Sequence, residues 1–251
     1  MLILYLKEFL FKGHMNKKEK IYEGKAKIIY ATDDPDLMIA YFKDDATAFN
    51  NKKKGVIADK GIINNAISSK LFQILTEQKI PNHFIKHLNE REMLIKKLKM
   101  LPLEVIVRNI VAGSLAKRMG MSEGDKLKRP VLEFCYKSDA LDDPFINEDH
   151  ILVFDLCKDQ ELINIKNQAL RINDILVSFF DVQGIRLVDF KLEFGLFKGD
   201  VYLGDEITPD SCRLWDKKTN EKLDKDRFRR DMGGVEEAYQ TVLNRLVKQA
   251  S

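Results

Sequence analysis

The chain has 251 residues, 45% hydrophobic and 32% charged, which fits a soluble globular protein with a core, built as one large domain or two small lobes. Its 42 Lys and Arg against 39 Asp and Glu leave +3, too even a balance to call for DNA or RNA as the partner. Cys135, Cys157 and Cys212 lie far apart without a CxxC pair, which argues against a disulfide framework or zinc ribbon and suits a reducing compartment.

Met1 to Gly13 is rich in apolar residues, but Lys7 and Glu8 interrupt the run, no basic segment precedes it and no small-residue cleavage site follows. It is also too short to span a bilayer. Met15 offers a second start, so residues 1–14 read as an N-terminal extension.

KIYEGKAKIIYA, with a Gly near its middle, and LMIAYF, after the turn-rich TDDPD, read as antiparallel strands. From Val56 to Gln78, Ile62, Ile63, Ala66, Ile67, Leu71, Ile74 and Leu75 recur at helical spacing, and Pro81 follows. HFIKHL, EMLIKKL and LEVIVRNIVAG read as strands, with Pro102 as a break between the last two and SLAKRMG as a short helix beyond. LDDPFINEDH is a polar loop, Gln160 to Phe180 a helix, IRLVDFKLEFG and DVYLGDEI strands, and Val235 to Lys248 a final helix. The fold class is α+β, with a lobe boundary near residue 100: an N-terminal lobe over 15–100 and a C-terminal lobe over 101–251.

In Leu187 to Phe194 strict alternation places Val188, Phe190, Leu192 and Phe194 on one face of a strand and Asp189, Lys191 and Glu193 on the other. A three-residue turn at Lys198-Gly199-Asp200 would set Glu193 opposite Asp205, with Cβ atoms roughly 5 Å apart. Two facing carboxylates need a cation between them, and oxygen ligands beside phosphates suit Mg²⁺. A solvated strand face neutralised by Lys191 remains the bland alternative, and a two-residue Lys-Gly turn would separate the pair.

Tyr22-Glu23-Gly24-Lys25-Ala26-Lys27 is a glycine-containing basic turn that could approach phosphates, although it lacks the P-loop pattern and solvated basic turns are common. In the segment from Val107 to Ser114, Arg108, Ser114 and helix-start N–H groups could cradle a phosphate monoester, or simply cap a helix beside a surface Arg. Arg213, in DEITPDSCRLWD, could clamp a phosphate or stack on Trp215. His83 and His87 have the spacing of a helical metal pair but fall in a strand without a third ligand, so zinc is not expected.

Taken together, YEGKAKIIY, FKDDATAF, EMLIKKLKMLPLEVIVRNIVAGSLAKRMG, LDDPFINEDHI, LVDFKLEFG, LGDEITPDSCRLWD and DKDRFRRDMGG resemble the SAICAR synthetase (phosphoribosylaminoimidazole-succinocarboxamide synthase) family, in family order from Tyr22 to Gly234. The basic AFNNKKKG, and Ile110-Val111 before Ala-Gly-Ser, depart from its pattern. The resemblance implies a two-lobed SAICAR-synthetase fold, ATP-grasp-like or kinase-like, with antiparallel sheets, packed helices and ATP between the lobes. It implies that Lys25, Ala26 and Lys27 cover the phosphates, and that Lys97, Met100 and Glu104 border the adenine. Arg108, Ser114 and Arg213 would hold the phosphate of carboxyaminoimidazole ribonucleotide, with Lys137 and Asp143 as further substrate contacts. Glu193 and Asp205 would ligate Mg²⁺.

The activity implied is a cytoplasmic, homodimeric ATP-dependent ligase that joins L-aspartate to the ribonucleotide carboxylate through an acyl phosphate in purine biosynthesis. Lys27 and Lys191 would offset negative charge, and Asp189 would take the amine proton. A small-molecule kinase on the same architecture would need no aspartate. A nucleic-acid binder using KKKG would show steeply salt-dependent binding.

Overall fold

The computed structural model describes residues 16–48 and 53–247; residues 1–14, much of AFNNKKKG and Lys248 fall wholly or partly outside them. Strands β1 (Lys20–Glu23), β2 (Lys27–Ala31) and β3 (Leu37–Phe42) form the expected antiparallel meander. The Gly24 N–H bonds the Lys27 carbonyl at 2.8 Å and closes the first turn. A separate hairpin follows, β4 (Asp45–Ala48) with β5 (Lys53–Val56), which the sequence had not announced.

Helix α1 (Lys60–Glu77) starts four residues later than its periodicity suggested. Gly61 explains the crowding at its start, since a Cβ there would lie 2.4 Å from the Phe42 carbonyl oxygen. The helix buries Ile63, Ile67, Leu71, Phe72 and Leu75, each side chain stabilising the fold by about 1.5–3 kcal/mol. Strands β6 (Phe84–Asn89) and β7 (Glu92–Lys96) complete a five-stranded sheet in the order β1-β2-β3-β7-β6.

The second sheet begins at β8 (Lys99–Ile110), which runs straight through Pro102 rather than breaking there. Its partner is β11 (Ile185–Phe197), and the ladder skips from Glu193↔Glu104 to Gly195↔Met100. Pro102 therefore lies in a bulge, where its missing N–H breaks no ladder bond. Between these strands come α2 (Gly113–Met119), β9 (Lys126–Tyr136), β10 (Phe145–Ile146), α3 (Glu148–Val153) and α4 (Asp159–Val182). After β11 come β12 (Asp200–Leu203), β13 (Cys212–Asp216), α5 (Asp226–Arg229) and α6 (Val235–Val247). The sheet order is β10-β9-β8-β11-β12, with β13 also paired to β11. The architecture is α+β, antiparallel sheets with packed helices.

The β11–β12 turn corrects the expected register. Phe197 pairs with Asp200, so the loop is the two residues Lys198 and Gly199, with φ of 52° and 94°, the positive-φ geometry of a tight hairpin. Phe194 thus faces Leu203, and Asp205 lies beyond the end of β12 instead of opposite Glu193.

One continuous core joins the sheets, from Ile67 and Leu71 of α1 through Val105, Phe190 and Phe194 to Ile165, Ile172 and Phe180 of α4. A short main-chain joint reinforces it. Leu203 N–H donates to the Pro81 carbonyl (2.9 Å), His83 N–H to the Leu203 carbonyl (2.8 Å), and Lys96 N–H to the His83 carbonyl (2.7 Å). Among the described residues no helix is long and apolar enough to cross a membrane, and the three cysteines are buried and free.

Candidate active site

Strand β11 carries the site because its alternation places Asp189, Lys191 and Glu193 on one face, with Asp189 and Glu193 about 13 Å apart along the strand. At one end Lys191 Nζ donates to Glu104 Oε1 and to Glu193 Oε1, both at 2.7 Å. Lys137 also pairs with Glu193, whose side chain is only 5% exposed.

Asp205 reaches the same cluster by another route. Just past β12 it adopts φ 57°, and its carboxylate pairs with Lys27 at the start of β2. Lys27 Nζ is also 3.7 Å from Glu206 Oε2, a buried oxygen without a hydrogen-bond partner. Burial would raise the Asp205 carboxyl, but Lys27, Lys191 and Lys137 hold it well below the usual carboxylate range. Burial would lower Lys27 and Lys191; the surrounding carboxylates outweigh it and hold both above the ordinary lysine value. Burial raises Glu206 instead.

At the other end, Arg108 of β8 and Arg213 of β13 both stand across from Asp189, making a row over three strands. Arg108 donates to Asp189 Oδ2 (2.9 Å), Glu133 Oε2 (2.6 Å) and Ser114 Oγ (3.1 Å). Arg213 donates to both Asp189 oxygens (2.8 and 3.1 Å) and to Asp226 Oδ2 (2.8 Å). The arginine is not stacked on Trp215, whose ring lies under Lys222 Nζ at 5.2 Å. Gly113 backs directly onto Arg213: an added Cβ would come within 2.4 Å of Nη2.

The structure gathers Lys27, Glu104, Arg108, Ser114, Lys137, Asp189, Lys191, Glu193, Asp205 and Arg213 along this face. Others sit at its margins. Lys25 is half-exposed and bonds Asp139 at 2.8 Å, while Ala26 uses its carbonyl to hold Lys43 N–H. Lys97 is exposed in the link between the sheets, and Met100 lies against Gly204, where a Cβ would meet its Sδ at 3.2 Å. Asp143 turns inward to its own loop, accepting from Ser138 N–H at 2.8 Å. Asp189 does not fit the role of proton acceptor, because two guanidiniums occupy its oxygens.

Sequence reasoning missed Glu133, Asp226 and Glu206, and weighed His83 only for zinc, which it did not expect. His83 is 4% exposed, and its pKa is lowered to about 3 by burial and by Lys27. Nothing in local periodicity marks such residues. Among the described residues no three His, Cys, Asp or Glu side chains form a cluster able to hold a metal alone.

A face with lysines over paired carboxylates at one end and a braced arginine pair at the other has the cationic donors that anionic groups such as phosphates and carboxylates require, the character of an enzyme of anionic small molecules. The SAICAR synthetase family profile matches residues 20–246. A phosphoribosylaminoimidazole-succinocarboxamide synthase from Desulfitobacterium hafniense is 59% identical over 92% of this chain and 98% of its own. The crystal structure of the synthase from Ehrlichia chaffeensis superposes with a TM-score of 0.90 at 52% identity, covering 91% of this chain and 98% of that one. A SAICAR synthetase in complex with ADP gives 0.88 at 47% identity, covering 90% and 97%. The chain belongs to the SAICAR synthetase family, enzymes of ATP-dependent ligation in purine biosynthesis.

Proposed function

We propose that the protein condenses carboxyaminoimidazole ribonucleotide with L-aspartate, using ATP, to give the succinocarboxamide ribonucleotide, ADP and phosphate. The observation that carries this reading is the face of β11, where Asp189 braces two arginines and Glu193 joins the lysine-carboxylate cluster four residues on. Its length suits a nucleoside monophosphate, with the phosphate at Arg108, Ser114 and Arg213 and the reacting carboxylate beside Lys191. Family membership also supports a cytoplasmic homodimer.

A carboxylate repels nucleophiles and has no adequate leaving group. Transfer of the ATP γ-phosphoryl group to one carboxylate oxygen releases ADP and forms an acyl phosphate. The neutral aspartate amine then attacks the acyl carbon, the C–O bond to phosphate breaks, and the amine proton passes to a base. Lys27 and Lys191 offset the charge that gathers on the phosphoryl oxygens, and fixed positions lower the entropic cost. Asp189 is reassigned as the brace that keeps both arginines aimed.

The oxygen-only donor set of Glu193 and Asp205, with Glu206 Oε2 unpartnered nearby, fits Mg²⁺, which takes one or two carboxylates and completes its shell with phosphates and water. When bound, that ion would neutralise phosphate charge. Lys25, Ala26 and Lys27 would border the nucleotide phosphates, and Lys97, Met100 and Glu104 the adenine.

A coupled assay with ribonucleotide, L-aspartate, ATP and Mg²⁺ tests the reaction by omitting each in turn. A new carbon-nitrogen bond is expected only with all four. A stable phosphorylated product, turned over at full rate without aspartate, would instead identify a kinase.

Gly113→Ala tests the arginine end. The new methyl group must displace Arg213, which its bonds to Asp189 and Asp226 keep from yielding cheaply. KM for the ribonucleotide should rise about tenfold or more while KM for ATP holds, as expected when ground-state binding is lost. Equal effects on both substrates would place Arg213 elsewhere in the reaction.

A further inference from the structure

We propose that Ile106 is a specificity-determining residue for the ribonucleotide: its side chain is the apolar floor on which the planar base rests, between the arginine row and the lysine-carboxylate cluster. The inference deepens the proposed reaction and rests on it, with the phosphate at Arg108 and Arg213 and the reacting carboxylate beside Lys191.

The register of the second sheet puts it there. Ile106 stands across from Lys191 of β11 on one side and from Glu133 of β9 on the other, and directly opposed residues share a face of the sheet. Along β8 its neighbours on that face are Glu104 and Arg108, each two residues away and so roughly 7 Å off. Glu104 in turn stands opposite Glu193, and Arg108 opposite Asp189. An aliphatic side chain thus lies in the middle of a charged field, midway between the two ends of the site.

The core does not account for it. Leu103, Val105 and Val107 alternate onto the opposite face of β8 and are buried in the main core. Ile106 is only half-buried and, among the described residues, packs into none of the hydrophobic clusters. Strand propensity explains a β-branched residue at this position, but Thr would meet it as well as Ile. The charges around Ile106 pair with one another: Lys191 with Glu104 and Glu193, and Glu133 with Arg108 and Arg118. A polar side chain here would compete for those bonds. An apolar one leaves them intact and offers the flat face of a heterocycle a surface to cover, while the flanking charges fix its orientation.

The test uses the full chain with Ile106→Val, Ile106→Thr and Ile106→Ala, followed by kcat, KM for the ribonucleotide, KM for ATP and thermal melting. Val and Thr have nearly the same shape and differ in polarity. Ile106→Thr and Ile106→Ala should raise KM for the ribonucleotide about tenfold, the low end for an apolar contact changed by one methylene-sized group. Ile106→Val should stay close to the wild type. KM for ATP and kcat should hold in all three, as expected when ground-state binding alone is lost. Inhibition by ribose 5-phosphate, which carries phosphate and sugar without the base, should not change. Wild-type KM for the ribonucleotide in both Ile106→Thr and Ile106→Ala overturns the proposal. So does a rise in KM for ATP instead, or a loss of ribose 5-phosphate inhibition as large as the loss for the ribonucleotide. Variants that melt far below the wild type overturn it too, because they would place Ile106 in the packing of the fold. The wild-type assay separates the two readings: a wild type that forms product, beside variants with unchanged KM, removes only the role of Ile106, whereas a wild type that does not use the ribonucleotide removes the proposed reaction itself.

Discussion

Asp205→Asn should leave a folded protein whose ATP-dependent product formation is lower by about a hundredfold to a thousandfold or more, the usual scale for removing one fixed charge from a reacting site. The substitution isolates charge from shape. Asn has the volume of Asp and also tolerates a left-handed backbone, so the φ of 57° survives. What disappears is the negative charge that Lys27 faces and that Lys191 and Lys137 stabilise. Three ammonium groups then share fewer carboxylates, and a magnesium ion, if held there as proposed, would lose one of its two carboxylates. Product formation measured beside a thermal melt decides the matter: a folded variant with wild-type turnover removes Asp205 from the mechanism.

Lys60→Met should cost about 3 kcal/mol of stability, the low end for removing one partner of a buried ion pair. Lys60 and Asp210 are 1% and 5% exposed and meet at 2.6 Å. Asp210 also accepts from the Tyr239 hydroxyl at 2.7 Å and from Asn64 Nδ2 at 3.1 Å. The cluster ties α1 and α6 to the loop that carries Asp205. Without Lys60 the carboxylate stays buried, with Lys225 at 3.8 Å as its remaining cation. The melting temperature should fall by about 6–12 °C for a chain of this size. Adding Asp210→Asn should recover part of the loss, because the stranded charge is gone. A single variant that melts with the wild type would mean that the remaining partners already satisfy Asp210.

Much of the fold is legible in the chain because periodicity and punctuation agree there. The alternation of Leu187 to Phe194 alone puts Asp189, Lys191 and Glu193 on one face, and apolar spacing marks α1, α4 and α6. The hairpin of β4 and β5 escapes because DATA and KKGV are short, polar and weakly patterned. Strand β9, KLKRPVLEFCY, opens on a basic stretch with Pro130 inside it and shows no clean alternation. The β11–β12 register turns on a single residue in the loop, and periodicity cannot count that residue. Asp205 nevertheless reaches the site, through a backbone turn that no pattern of side chains encodes.

The buried charges form the other illegible class. Lys60 and Asp210 are separated by 150 positions, and Arg108 and Asp189 by 81. A buried ion is tolerable only with its partner, so its burial depends on the completed fold and not on its neighbours in sequence.

The joint at Leu203 also differs in strength from the contact at the β1–β2 turn. There the two sheets are stitched by main-chain bonds among Pro81, His83 and Leu203. The β1–β2 turn meets the loop before β10 through Lys25 and Asp139, whose side chains are 40% and 72% exposed. A solvent-washed clasp of that kind holds with at most about 1 kcal/mol. The two contacts therefore differ in kind: the main-chain joint belongs to the paired sheets, whereas the Lys25–Asp139 pair is a side-chain contact open to solvent and weakened by salt.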